Sequence, residues 1–177
     1  PAAQRYAEVA SALANWRQSL KSFQSQIHAL AVLSVVPLAD RNKFVEVIGD
    51  FLGRMSVQLG LRTENYSGVI NISRTVIDGG ADTAMFALFH ELGHGVQTEH
   101  DVPSSVKQAI YTSAEQGAKF GEMFADAFAA LALSAIGCSL EQVLRGAEGA
   151  LADHGEDGDH PDWSVRRESI RAIVSGL

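Results

Sequence analysis

The chain has 177 residues, enough for a single domain with a sizeable core, and its 46% hydrophobic and 20% charged content, with no low-complexity tract, reads as globular rather than disordered. A net charge of −7 with Lys and Arg scattered leaves no basic stripe for a phosphate backbone, so no nucleic-acid partner is expected. The lone cysteine, Cys138, excludes an internal disulfide and follows small and apolar residues, where a buried inert thiol is expected rather than a nucleophile.

In chain order, Tyr6, Val9, Leu13, Trp16, Leu20, Phe23, Ile27 and Leu30 alternate steps of three and four, which predicts one long amphipathic N-terminal helix used for packing. Pro37 ends that stretch. Asp40 can cap a second helix whose stripe runs Phe44, Ile48, Phe51, Met55 and Leu59, with Gly60 as its stop. Residues 61–77 change character: Val69, Ile70, Ile72, Val76 and Ile77 are β-branched and follow the turn-like Asn65-Tyr66-Ser67-Gly68, predicting one or two strands. Asp78-Gly79-Gly80 breaks the chain, and Asp82 can cap a helix reaching about Gln97. Pro103 opens a less regular region, and an apolar helix is expected from about Lys119 to Ile136, stopped by Gly137. Ser139 and Gln142 resemble a capping box for a helix reaching Leu151, and a last helix begins near Asp162 or Trp163. Between these two, the acidic loop Asp153–Asp159 lacks the spacing of a calcium loop and is expected to be a solvated turn.

The fold class expected is α+β, predominantly α, with a small antiparallel sheet or hairpin beside a central helix. One domain is expected over 1–177, its residues 1–60 a helical part and 61–177 the part that carries the chemistry. The apolar stretches Ala29–Leu38 and Phe124–Ile136 fall short of the roughly 20 residues of a bilayer span, so no membrane span is expected. A start at Pro1 with no leader pattern fits a piece of a longer chain, and a secreted or effector domain is compatible with it.

The chemistry concentrates in His90-Glu91-Leu92-Gly93-His94. Four residues of helix bring two imidazoles to one face, one turn apart, where both reach one ion. Zinc suits such ligands and keeps a position open for water, and Glu91 beside the first histidine can act as general base. Gly93 and Gly95 are costly inside a helix, by about 1 kcal/mol each relative to alanine, and are expected to make room for metal or substrate. The duller alternative is a pair of core histidines satisfied by hydrogen bonds.

Two residues compete for the third ligand position. Glu122 and Asp126 share one face of an otherwise apolar helix, where burying two acids is costly without a purpose. Glu122 can bind the ion, and Asp126 can accept the spare imidazole proton of a ligand histidine. The rival, His100, stands six residues after His94, but Gln97 occupies the place where a metzincin has the glycine that turns the chain out of the helix. Glu122 is favoured.

With His-Glu-x-x-His at 90–94 and Glu-x-x-x-Asp at 122–126, the chain resembles the gluzincin class of metallopeptidases, of which thermolysin is the familiar member. Asp159-His160-Pro161 with Arg166 and Ile170 looks like the downstream pattern of the heat-shock membrane zinc proteases and their soluble relatives. The resemblance implies a zincin-like fold, a Zn2+ cofactor and a protein or peptide substrate. A donor to the developing oxyanion is expected besides the metal, with Tyr111, His160 and Arg166 as candidates; the resemblance places a stabilising tyrosine near Tyr111 and a downstream histidine at His160, while the duller expectations are a half-buried packing residue, a surface loop residue and a solvated helix charge in turn. It covers about 80 residues; the first 60 match no named family, and the membrane helices of those proteases are lacking.

The expectation is therefore a zinc peptidase with His90, His94 and Glu122 on the metal, Glu91 as base, and Tyr111 or His160 finishing the chemistry. The competing readings are a binding or regulatory module of the same fold, or a secreted effector or cell-wall amide hydrolase.

Overall fold

The structure is a computed structural model and describes residues 2–111, 120–151 and 160–176. Among these residues it is predominantly helical, with one small three-stranded mixed sheet.

The N-terminal helix is not continuous. Helices α1 (Ala2–Ala14) and α2 (Trp16–Gln26) meet at Asn15, and two 3-10 turns, Ile27–Ala29 and Ala31–Leu33, follow. The two halves answer to different neighbours: α1 packs on the central helix, whereas α2 packs on α3 (Leu38–Arg54), which explains a break within one apolar stripe.

Helix α3 ends earlier than its stripe suggested. Met55 is extended, and Ser56–Gly60 forms strand β1, so Leu59 belongs to a strand and is exposed. Parallel pairing with β3 (Val69–Ser73) wins over helix continuation here. Arg17 of α2 donates to the freed carbonyls at the helix end, from Nε to Leu52 O at 3.3 Å and from Nη2 to Met55 O at 3.0 Å.

Strand β2 (Glu64–Tyr66) pairs antiparallel with β3, giving the order β1-β3-β2. The expected hairpin is present, and the sheet is mixed rather than antiparallel because β1 runs parallel to β3. Central β3 alternates, with Ile70 and Ile72 fully buried. Val76 and Ile77 are not in a strand but in the short helix α4 (Arg74–Asp78), capped by the Ser73 hydroxyl, which accepts from Val76 N.

Helix α5 (Ala81–Thr98) is the centre of the molecule, packed chiefly on α7 (Phe120–Ala135) and α8 (Leu140–Leu151) and touched by α1, α4 and the sheet. Its cap position is Gly80, at φ 101°, and not Asp82, which instead pairs with Arg145 of α8 at 2.8 Å. The region after Pro103 is regular, forming α6 (Ser104–Tyr111). Ser139 and Gln142 form a reciprocal capping box at the start of α8, and α9 (Trp163–Ser175) is capped by Asp162. The core runs through all these elements except β2, with Phe23 and Phe128 meeting edge to face at 5.3 Å. Among the described residues, no helix is long and apolar enough to cross a membrane.

Candidate metal centre

Because α5 is covered on nearly every side, Phe86, Leu88, Phe89, Leu92 and Val96 all lie in the core. His90 is buried among them, and His94, one turn on, is partly open to solvent. Their Nε2 atoms face each other at 3.1 Å. Glu122, in the first turn of α7, closes the triangle: Oε2 is 3.3 Å from His90 Nε2 and Oε1 is 3.3 Å from His94 Nε2. The three residues form the one group able to hold a metal ion among the described residues. His100 is exposed past the end of α5, and Gln97 stays helical, so the metzincin geometry is not adopted; His28 lies exposed in a 3-10 turn.

The spacing fits a small tetrahedral cation. Bonds of about 2.0–2.1 Å at tetrahedral angles hold ligand atoms about 3.3 Å apart, close to the separations seen. Two imidazole lone pairs and a carboxylate converging in this way need a proton or a cation between them.

Gly93 makes this convergence possible. A Cβ there would stand 2.8 Å from Ala125 Cα and 3.0 Å from Ala125 O, so α7 crosses α5 in contact with bare backbone. Ala125 lies between Glu122 and Asp126, and the close approach brings both acids to the histidines. The space Gly93 leaves is thus filled by a helix, not by metal or substrate.

A buried polar layer stands behind the candidate ligands. His90 Nδ1 lies 2.9 Å from Asp126 Oδ1, and Arg166 of α9 grips the same carboxylate from Nε to Oδ2 at 2.6 Å and from Nη2 to Oδ1 at 2.8 Å. Nη2 also reaches Glu122 Oε2 at 3.3 Å. The expectation of a solvated Arg166 is therefore overturned: its side chain is 1% exposed. The signal was present in the sequence, since Arg166, Ile170 and Ile173 share the buried face of α9 at helical spacing.

Electrostatics follow from this enclosure. Burial opposes charging of His90, but the carboxylates of Asp126 and Glu122 outweigh it and raise its pKa to about 9. Burial would raise Glu122, yet the two histidines hold its carboxyl well below the usual range. Glu91 is pushed up, first by burial and then by the Glu122 charge, against the pull of the imidazoles. With neutral imidazoles, three carboxylates against one guanidinium leave two net negative charges, which a divalent ion would balance.

His160 comes to the edge of this cluster, with Nε2 3.9 Å from Glu122 Oε2. Tyr111 ends α6, and its side chain lies outside the described residues, as does the acidic loop Asp153–Asp159. Burial, with Asp82 beside it, pushes the Cys138 thiol up, the wrong direction for a nucleophile. Beside His94 a groove of about 530 Å³ opens, walled by Phe51, Met55, Asn65, Ser67 and Thr98.

Compared with known proteins, the chain matches no family model, no curated protein and no solved structure.

Proposed function

We propose that this protein is a zinc-dependent peptidase of zincin-like fold that hydrolyses peptide bonds of a protein or peptide substrate, with His90, His94 and Glu122 as metal ligands. The observation that carries the reading is the triangle of His90 Nε2, His94 Nε2 and the Glu122 carboxylate, with sides of 3.1 to 3.3 Å and Asp126 behind His90. Zinc, when bound, supplies a Lewis acid that acidifies water and polarises a carbonyl.

The remaining chemistry falls to the chain itself. Glu91, one residue after the first histidine of the triangle, takes the proton of the attacking water and passes it to the leaving amine, a task a carboxylate performs in both directions. Asp126 fixes the ring of His90 by accepting from Nδ1, so that Nε2 presents its lone pair to the ion. His160, at the edge of the cluster, can donate to the developing oxyanion, the role for which Tyr111 is the other candidate. The groove beside His94 offers an extended chain a place to lie next to the reacting bond.

The test is hydrolysis of casein by the purified, zinc-loaded chain. Cleavage should stop with a chelator, return with zinc, and fall by about 10²-fold or more in Glu91→Gln while zinc content stays the same. Undiminished cleavage by Glu91→Gln would contradict the assignment.

A further inference from the structure

Asn65 stands where the sheet meets the helix that carries Glu91. The two-residue turn Ser67-Gly68, with φ of 49° and 84°, has the positive angles of a type I′ hairpin and sets the register Tyr66 opposite Val69 and Asn65 opposite Ile70. Residues flanking such a turn form the hydrogen-bonded pair, so the next pair is the non-bonded one. The main-chain N–H and C=O of Asn65 therefore point away from β3, toward the outer edge of β2. No strand covers that edge among the described residues.

Helix α5 covers it instead. Asn65 Nδ2 donates to the main-chain carbonyl of Glu91 at 3.1 Å, and the main-chain N–H of Asn65 faces the Glu91 carboxylate. The fit is close: a Cβ on Gly95, one turn beyond Glu91, would stand 3.2 Å from Asn65 Nδ2. Asn65 also walls the groove beside His94.

We propose that Asn65 is a positioning residue for Glu91, fastening the helix backbone with its carboxamide and holding the carboxylate with its outward N–H, so that the groove wall and the base move as one body. This rests on the reading of Glu91 as general base. It gives an extended edge strand a partner that is neither another strand nor water.

The experiment uses the zinc-loaded full chain and two readouts. By NMR, the Asn65 amide hydrogen should exchange slowly for an unpaired edge, and exchange should speed up about tenfold or more in Glu91→Ala. In Asn65→Ala, kcat on casein should fall about 10-fold to 100-fold with zinc content unchanged, a larger effect than any change in KM from the altered groove wall, whereas a bond of structural value alone would lower the melting temperature and leave kcat as it was. An Asn65 amide that exchanges at the open-strand rate in both proteins overturns the proposal, as does a wild-type kcat in Asn65→Ala. Should Glu91→Ala fail to fold, Asn65→Ala decides. If the wild-type chain cleaves nothing, the peptidase reading falls, and the exchange arm still decides whether Asn65 holds Glu91.

Discussion

Arg166 and Asp126 form a two-point ion pair sealed from solvent, and the same Asp126 oxygen that accepts from Arg166 Nη2 also meets His90 Nδ1. Helix α9 is in this way wired to a candidate ligand on α5 through an acid on α7. Arg166→Met leaves Asp126 as a buried, half-satisfied charge, so we expect a stability loss of about 3–5 kcal/mol and a 10-fold to 100-fold weaker zinc affinity. Arg166→Lys keeps the charge but not the fork, and should fall between the two. Denaturant unfolding and a zinc competition assay check both numbers; wild-type zinc affinity in Arg166→Met would show that the pair serves packing alone.

Gly93 is where α5 and α7 touch. Gly93→Ala places a methyl 2.8 Å from Ala125 Cα, so the helices must separate. Helix propensity alone predicts a gain of about 1 kcal/mol for this substitution. The contact predicts the reverse: a loss of about 1–3 kcal/mol, as for overpacking, together with weaker zinc binding because Glu122 retreats from His90 and His94. A more stable Gly93→Ala variant with unchanged zinc affinity would contradict the account of the crossing.

On the proposed reading, zinc must displace a proton from His90. Its pKa in the folded, metal-free chain is about 9, above the ordinary 6.5. The stabilisation tied to that proton is fully present below pH 6.5 and is lost as pH rises through about 9. Metal-free protein should therefore melt at a lower temperature at pH 9.5 than at pH 6.5, and zinc-loaded protein should not show this decline. Zinc binding near pH 7.5 should release a proton from His90, with affinity rising up to about tenfold per pH unit between 6.5 and 9. Calorimetry in buffers of different ionisation enthalpy reads the proton directly.

The local patterns were legible where one short stretch contains the whole device. His90 and His94 at four-residue spacing, Glu122 and Asp126 on one helical face, and the Ser139–Gln142 capping box all appear where their spacing puts them. Elements decided by distant partners were not. The apolar stripe through Met55 and Leu59 fits a helix, but Ser56–Gly60 finds a strand partner thirteen residues on, at Val69–Ser73. One amphipathic stripe over the first thirty residues does not reveal that its halves pack on different helices and break at Asn15. The charge of Arg166 points to solvent, whereas its buried carboxylate partner lies 40 residues away in the chain. In the sequence Asn65 shows turn chemistry alone, since its bond to Glu91 exists only once the hairpin lies on α5.

The central claim is that His90, His94 and Glu122 hold one zinc ion. It is tested most directly by an anomalous-scattering map at the zinc edge from crystals of the zinc-loaded chain. The account predicts a single strong peak about 2.0–2.2 Å from His90 Nε2, His94 Nε2 and a Glu122 carboxylate oxygen. A map with no peak between these three side chains, or with zinc bound at His100 in place of Glu122, would contradict it.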